Sequence, residues 1–262
     1  MNRAAALSRP TDVYFFATCL VDQFAPEAGL DAIRLLEREG LTVHFPPDQT
    51  CCGQPAYSSG YLDQARVVAR AQLDIFPEPW PIVVPSGSCA GMMRHHYPEL
   101  FAEDPATLVQ ATALAERVYE LTDFLANVIG FQRADQGAAC TVVLHTSCHA
   151  RREMGSHLSS RALLDSLSQV KVVTQAREDE CCGFGGTFAL KHPTISAAMV
   201  GDKLAALRDT GASRVVSADC GCLMNILGHA AHRDRKEGNI SPSMPGEHIA
   251  SFLLRRTAAG RS

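Results

Sequence analysis

No apolar run in this 262-residue sequence is long enough to cross a membrane. The opening MNRAAALSRPTDVYFF is broken by Arg3, Arg9, Pro10 and Asp12 before a leader's apolar segment could form, so the expected compartment is the cytoplasm. A basic excess is missing too. The 24 Lys and Arg against 28 Asp and Glu leave a formal charge of −4, with the cations scattered, which excludes a polyanion footprint and a nucleic-acid partner. GFGGT at 183–187 lacks both the Lys and Ser/Thr placement of a phosphate loop and the order of a dinucleotide fingerprint, so close backbone packing is its expected role. No flavin or nicotinamide motif is present. Disulfide staples are not required either, because a chain of this length buries one large or two moderate cores without them.

What the sequence has instead is cysteine. Ten of them, at 19, 51, 52, 89, 140, 148, 181, 182, 220 and 222, sit in a chain whose 46% apolar and 20% charged composition is that of an ordinary globular protein. In a reducing compartment such thiols are better explained as metal ligands or redox groups than as disulfides, and adjacent cysteines bridged to each other would close a strained ring. Their order is C-x31-CC-x36-C followed by C-x32-CC-x37-C-G-C. A shift of about 130 residues lays Cys19 on Cys148 and Cys51 and Cys52 on Cys181 and Cys182, with Cys89 falling near Cys220 and Cys222, which is an internal repeat.

The segments between the cysteines repeat as well. DVYFFATC and TVVLHTSC each read as a short strand running into a cysteine. PEAGLDAIRLLEREG, with apolar Leu30, Ile33 and Leu36 and a stop at Gly40, and SHLSSRALLDSLSQ read as helices. LTVHF and VKVVTQ follow as second strands, GYLDQARVVARAQLDIF and TISAAMVGDKLAALRDTGA as second helices, and PIVVPS and SRVVSA as third strands that deliver Cys89 and Cys220. The expected fold class is α/β: two pseudo-repeated Rossmann-like βαβαβα domains with parallel sheets, divided as 1–120 and 121–262. The cysteines then fall at the C-terminal ends of strands, where open α/β sheets bind ligands. The stretch from about Phe101 to Ala139, with a helical ELTDFLANVIG restarting at Thr122, is expected to connect the halves, and GHAAHRDRKEG to be a polar loop before the last helix.

Thiolate sulfur suits zinc, copper(I) and iron-sulfur clusters, and four or five cysteines per site exceed the need of a catalytic dithiol. The C-x2-C knuckles of structural zinc are missing from both series. A doublet can grip two metal atoms of one cluster, and the Gly behind it permits a tight turn and lets amides approach sulfur. Clusters are therefore the favoured reading, with zinc in one half as the alternative. Cys140, at a strand start, reads as a small buried thiol. His145, His149, His95 and His96 can ligate iron or move protons, but beside thiolates they read first as hydrogen-bonding or packing neighbours of the cysteines, and Arg151 and Arg152 as a solvated helix start or an attraction for a carboxylate.

ATCLVDQF, CCGQPAYSSGY, VPSGSC, YELTDFLANVIG, LHTSCH, CCGFGGTFALK, ADCGCLMNI and EHIASFL, in that order between residues 13 and 254, resemble the lactate utilization protein A family. Both series are also similar to the cysteine-rich CCG domain found in heterodisulfide reductase, in the iron-sulfur component of glycolate oxidase and in anaerobic glycerol-3-phosphate dehydrogenase. The resemblance implies an iron-sulfur subunit of a system oxidizing L-lactate to pyruvate, with two further lactate-utilization proteins as partners, one carrying ferredoxin-type clusters, and L-lactate as a candidate substrate. It implies cluster ligands Cys148, Cys181, Cys182, Cys220 and Cys222 in the second half, where the heterodisulfide relative holds a noncubane [4Fe-4S] cluster on five cysteines, and Cys19, Cys51, Cys52 and Cys89 in the first. The family's final C-x-x-C is C-x-C in the second half, and around Cys89 stand Ser86, Ser88 and Met92 in place of a fifth cysteine. No catalytic residue is assigned. Two other readings stay open: a thiol-disulfide redox subunit, and a zinc-stabilised scaffold subunit.

Overall fold

The computed structural model describes residues 9–238 and 243–258; residues 1–8, which carry part of the case against a leader, lie outside them. Among the described residues eight strands form two four-stranded sheets. The first holds β1 (Asp12–Phe15), β2 (Thr42–His44), β3 (Ile82–Val84) and β4 (Val118–Glu120) in the order β2-β1-β3-β4. The second repeats it with β5 (Cys140–His145), β6 (Val170–Val173), β7 (Arg214–Ser217) and β8 (Gly246–His248) in the order β6-β5-β7-β8. Every pairing is parallel, with Val13 opposite Val43 and Val142 opposite Val172 fixing equivalent registers. The winding reverses between β1 and β3, and again between β5 and β7, and such switch points open crevices at the carboxyl ends of strands.

Side chains alternate faces along each strand, and the alternation sorts the core into layers. Val13, Phe15 and Val83 of the first sheet and Val142, Leu144 and Val216 of the second belong to one shared cluster, filled between the sheets by Leu35, Leu36, Phe124, Leu164, Phe252 and Leu253 from helices. The opposite faces are covered separately. Tyr14, Phe16, Ile82 and Val84 pack with Phe76, Met92 and Tyr97, while Val143 and Val215 pack with Val200, Leu204 and Ile226. Full burial of each such side chain contributes about 1.5–3 kcal/mol, so the layer common to both halves holds them together. Across it the helix Pro26–Arg38 lies against the last helix, Ile249–Thr257, and Arg38 donates to the Thr257 carbonyl.

Three expectations are corrected. Each half has a fourth strand: VYE runs directly between two helices without a turn residue, and GEH has no β-branched or aromatic residue, so neither reads as a strand in sequence. GHAAHRDRKEG is not a loop: it continues the helix Cys220–Lys236, because Ala, Arg and Lys are strong helix formers and nothing breaks the run before Gly238. In the first long helix Leu36 is buried and Ile33 packs against the core as expected, but Leu30 is exposed, and Ala28, Gly29, Ala32 and Leu35 complete the buried face. Among the described residues no helix is long and apolar enough to cross a membrane.

Glu120 ends β4 fully buried. Its Oε2 accepts the N–H groups of Thr122 at 2.9 Å and Asp123 at 3.2 Å and the Thr122 hydroxyl, while Oε1 has no partner. Burial outweighs these bonds and, with the Asp219 charge adding to it, pushes the carboxyl up to about 8. In the unfolded chain it ionises at about 4.3. Between those values the folded chain keeps a proton that the unfolded chain has lost, so stability is full at acid pH and declines as pH rises toward 8. Glu120→Gln should remove that decline, so that urea midpoints of variant and wild type diverge progressively between pH 5 and pH 8 in the variant's favour. A wild-type decline that the variant retains would contradict this account.

Candidate metal centre

Three loops build each cysteine set. Cys19 opens the short helix Cys19–Phe24 just past β1, and Thr18 before it caps that helix by accepting the Val21 N–H at 3.3 Å. Thr18 has φ 65° and ψ 146°, a region otherwise reserved for glycine, and it is the single non-glycine residue at positive φ among the described residues. Such strain, on the order of 1–3 kcal/mol, persists where surroundings over-determine a functional loop. The counterpart of Thr18 is Ser147, whose hydroxyl accepts the Ala150 N–H at 3.1 Å. The doublets follow β2 and β6, where Gly53 (φ 88°) and Gly183 (φ 81°) turn the chain so that their N–H groups donate to Cys51 Sγ at 3.4 Å and Cys181 Sγ at 3.3 Å. The turns are tied from behind: the Tyr97 hydroxyl donates to the Cys52 carbonyl at 3.0 Å, and the Asn225 amide to the Cys182 carbonyl at 2.8 Å.

Both sets open into one cavity of about 280 Å³, with Cys19, Cys51, Cys52 and Cys89 on one wall and Cys148, Cys181, Cys182 and Cys222 on the other. Within each set the sulfurs form a chain of hydrogen bonds. Thiols of Cys19 and Cys52 hold Cys51 down to about 3, and thiols of Cys148 and Cys182 hold Cys181 down to about 2. The same bonds, together with burial, push Cys19, Cys52, Cys148 and Cys182 well up.

Residues from the two halves interlock around this cavity. Asp219 Oδ1 accepts from the hydroxyls of Ser86 at 2.8 Å and Ser88 at 2.9 Å and from the Ser88 N–H at 3.2 Å, while its Oδ2 has no partner. Gln54 donates to the ring of His149 at 3.2 Å, and Ser59 and Thr187 share a 2.6 Å hydrogen bond. Ala150 lies so close to Gly87 that a methyl there would sit 2.4 Å from the Ala150 Cβ.

The structure does not bring every candidate to the cavity. Cys220 is buried beside Val21 and Ala28 and does not line the cavity, although its neighbours Asp219, Gly221 and Cys222 do. Burial and the adjacent Asp219 charge push its thiol up to about 12. The five-cysteine set expected in the second half is therefore four cysteines at the cavity and one beside it. The position equivalent to Cys220 is Gly87, and its contact with Ala150 explains why no side chain stands there. Cys140 starts β5 at the end away from the cavity, partly buried and 3.8 Å from an Arg256 nitrogen. Arg151 is paired with Glu178 at 2.9 Å, and neither it nor Arg152 lines the cavity. His96 binds Glu99 at 2.7 Å and Glu153 at 3.3 Å, so only His149 of the flanking histidines reaches the lining.

The CCG cysteine-rich domain family matches residues 13–94 and 142–227, once over each set. Lactate utilization protein A of Bacillus velezensis is 43% identical over 246 residues, covering 93% of this chain and 99% of that protein. The proteins of the same description from Bacillus subtilis and Shouchella clausii are 42% and 43% identical, each over 244 residues, covering 93% and 92% of this chain and 99% and 98% of theirs. This chain belongs to the lactate utilization protein A family. Among solved structures, the crystal structure of a hypothetical protein from Helicobacter pylori shares the fold with a TM-score of 0.68 at 9% identity, over 97% of this chain; the chain spans 50% of that one.

The donor set fits a thiophilic metal group. Soft sulfur dominates the lining, and peptide N–H groups aim at Cys51 and Cys181 as they do at metal-bound sulfur. Sequence reasoning misses Asp219, although its place just before Cys220, where the first half has Ser86, is an available signal. It also misses Lys203, fully buried near Cys182 and donating to the Arg177 carbonyl. His145, in sequence a neighbour of the cysteines, is buried at the end of β5 with neither ring nitrogen partnered, and burial pushes it down to about 4.

The two glycine turns are not equally replaceable. A methyl on Gly183 would lie 2.9 Å from the Ser196 carbonyl oxygen, whereas on Gly53 its nearest contact would be an ordinary 3.5 Å to Val68. Gly53→Ala should cost about 1–2 kcal/mol, the left-handed backbone penalty alone. Gly183→Ala should cost clearly more, read as a lower urea midpoint and weaker retention of metal. Equal midpoints for the two variants would show that the Ser196 contact yields.

Proposed function

We propose that this chain is the iron-sulfur subunit of a cytoplasmic L-lactate oxidation system, with Cys19, Cys51, Cys52 and Cys89 holding one [4Fe-4S]-type cluster and Cys148, Cys181, Cys182 and Cys222 another. The carrying observation is the single cavity into which both sulfur sets face. At about 280 Å³ it matches the liquid volume of roughly nine waters, more than a lone ion wedged between side chains would occupy. A cluster bound there supplies one-electron acceptance and donation. The chain's own part is to hold its sulfur ligands rigidly at strand ends and to spread thiolate charge onto the Gly53 and Gly183 N–H groups, which tunes potential.

The names of the relatives support lactate as the substrate of the system. The cavity favours an electron-carrying role for this chain over the site of lactate oxidation, because among the described residues no Lys or Arg lines it to receive a carboxylate. The oxidation of L-lactate to pyruvate, which releases two electrons and two protons, is then assigned to the assembled complex with two further lactate-utilization proteins, one bearing ferredoxin-type clusters.

Anaerobically purified protein should contain iron and acid-labile sulfide and give EPR signals on reduction. Cys181→Ser should lose the iron of the second set while sparing the first, and Cys51→Ser the reverse, since each set is closed within its own half. Stoichiometric zinc without iron would overturn this proposal in favour of a scaffold. Turnover of disulfides but not L-lactate by the reconstituted complex would overturn it in favour of thiol-disulfide chemistry.

A further inference from the structure

Cys220 leaves the cavity, yet the second set has another donor in reach. His145 is 1% exposed, and neither Nδ1 nor Nε2 meets a hydrogen-bond partner. Leaving a buried polar group unsatisfied is costly, and native interiors rarely tolerate it without a reason. A ring nitrogen of His145 and the sulfurs of Cys182 and Cys222 all lie within 4.8 Å of one another. Metal bonds of about 2.0 Å to imidazole nitrogen and about 2.3 Å to thiolate sulfur span such a triangle with little adjustment.

The fold does not demand a histidine there. The counterpart in the first half, at the same place relative to Cys19, is Phe16, fully buried among Phe76 and other apolar side chains. An apolar ring satisfies the packing of that position, so a histidine with two idle nitrogens behind Cys182 and Cys222 needs another explanation. His145 is also well placed to act as a fixed donor, being the last residue of a central strand bonded on both sides, opposite Ser217 on β7.

We propose that His145 supplies a nitrogen ligand to the metal held by the second cysteine set, so that the two centres of the molecule differ in kind: thiolate alone in the first half, thiolate with imidazole in the second. This rests on the reading that the second set binds metal. Neutral imidazole donates less negative charge than a thiolate, so the second centre sits at a higher potential than it would with a thiolate in the place of His145.

The test uses the full chain reconstituted anaerobically with ferrous iron and sulfide after growth on ¹⁵N-histidine. Pulsed EPR of the reduced wild type should show histidine nitrogen coupled to one of two centres. His145→Phe, which installs the residue of the first half, and His145→Gln should abolish the coupling, while Cys51→Ser keeps it. His145→Cys should retain the iron of the second set, lack the coupling and shift that centre's potential downward. Iron in both sets without strong histidine coupling in the wild type overturns the inference whether or not the variants fold, and leaves the underlying reading intact. Coupling that survives in His145→Gln, or that disappears in His149→Gln instead, also overturns it. Failure of the wild type to hold metal in the second set refutes the underlying reading itself.

Discussion

The helical layer shared by the two sheets is the constraint on which the rest of the molecule depends. Phe15, Val83, Val142, Leu144 and Val216 project from both sheets into one cluster with Leu36, Phe124, Leu164 and Phe252, all of them buried. Because side chains alternate along a strand, committing Phe15 and Leu144 to this layer commits Phe16 and Val143 to the outer ones. Because both sheets are parallel and wound alike, packing them on a common layer also sets where their carboxyl ends open. The sulfur sets face each other as a result of apolar packing elsewhere.

Polar contacts across the halves then fix the spacing that packing alone leaves loose. Asp219 reaches over to Ser86 and Ser88, and His248 bridges the carbonyls of Pro85 at 3.1 Å and Ala218 at 3.0 Å, one from each half. His248 and Glu120 are counterparts: each ends a fourth strand and caps the helix that follows. Their chemistry differs because their duties do. Glu120 accepts from N–H groups of its own helix, whereas the His248 ring accepts from the Ala250 N–H on one nitrogen and serves carbonyls on the other. The repeat is thus approximate where the halves touch, and Gly87 against Cys220 and Phe16 against His145 are further cases of the same divergence.

Much of this was legible in the chain. The repeat, six of the eight strands among the described residues and the ligand chemistry follow from local pattern, because strand periodicity and cysteine spacing are properties of neighbouring residues. Val118–Glu120 and Gly246–His248 were not legible, since the first runs between two helices without a turn residue and the second has no β-branched or aromatic residue, and both exist by pairing with β3 and β7. Nor was the exclusion of Cys220 legible. Spacing puts Cys220 and Cys222 on the same footing, and only the helix beginning at Cys220 points one sulfur into the cavity and the other toward Val21 and Ala28.

Local pattern in the chain specifies a duplicated parallel α/β protein with thiol donors at strand ends, since those features are encoded within segments of roughly ten to forty residues. Only the tertiary structure decided that the two donor sets share one chamber, that each contributes four sulfurs to it, and that a buried histidine stands behind the second. Those facts join residues about 130 positions apart, and such distances are set by which faces pack on the common core. No local pattern records that choice.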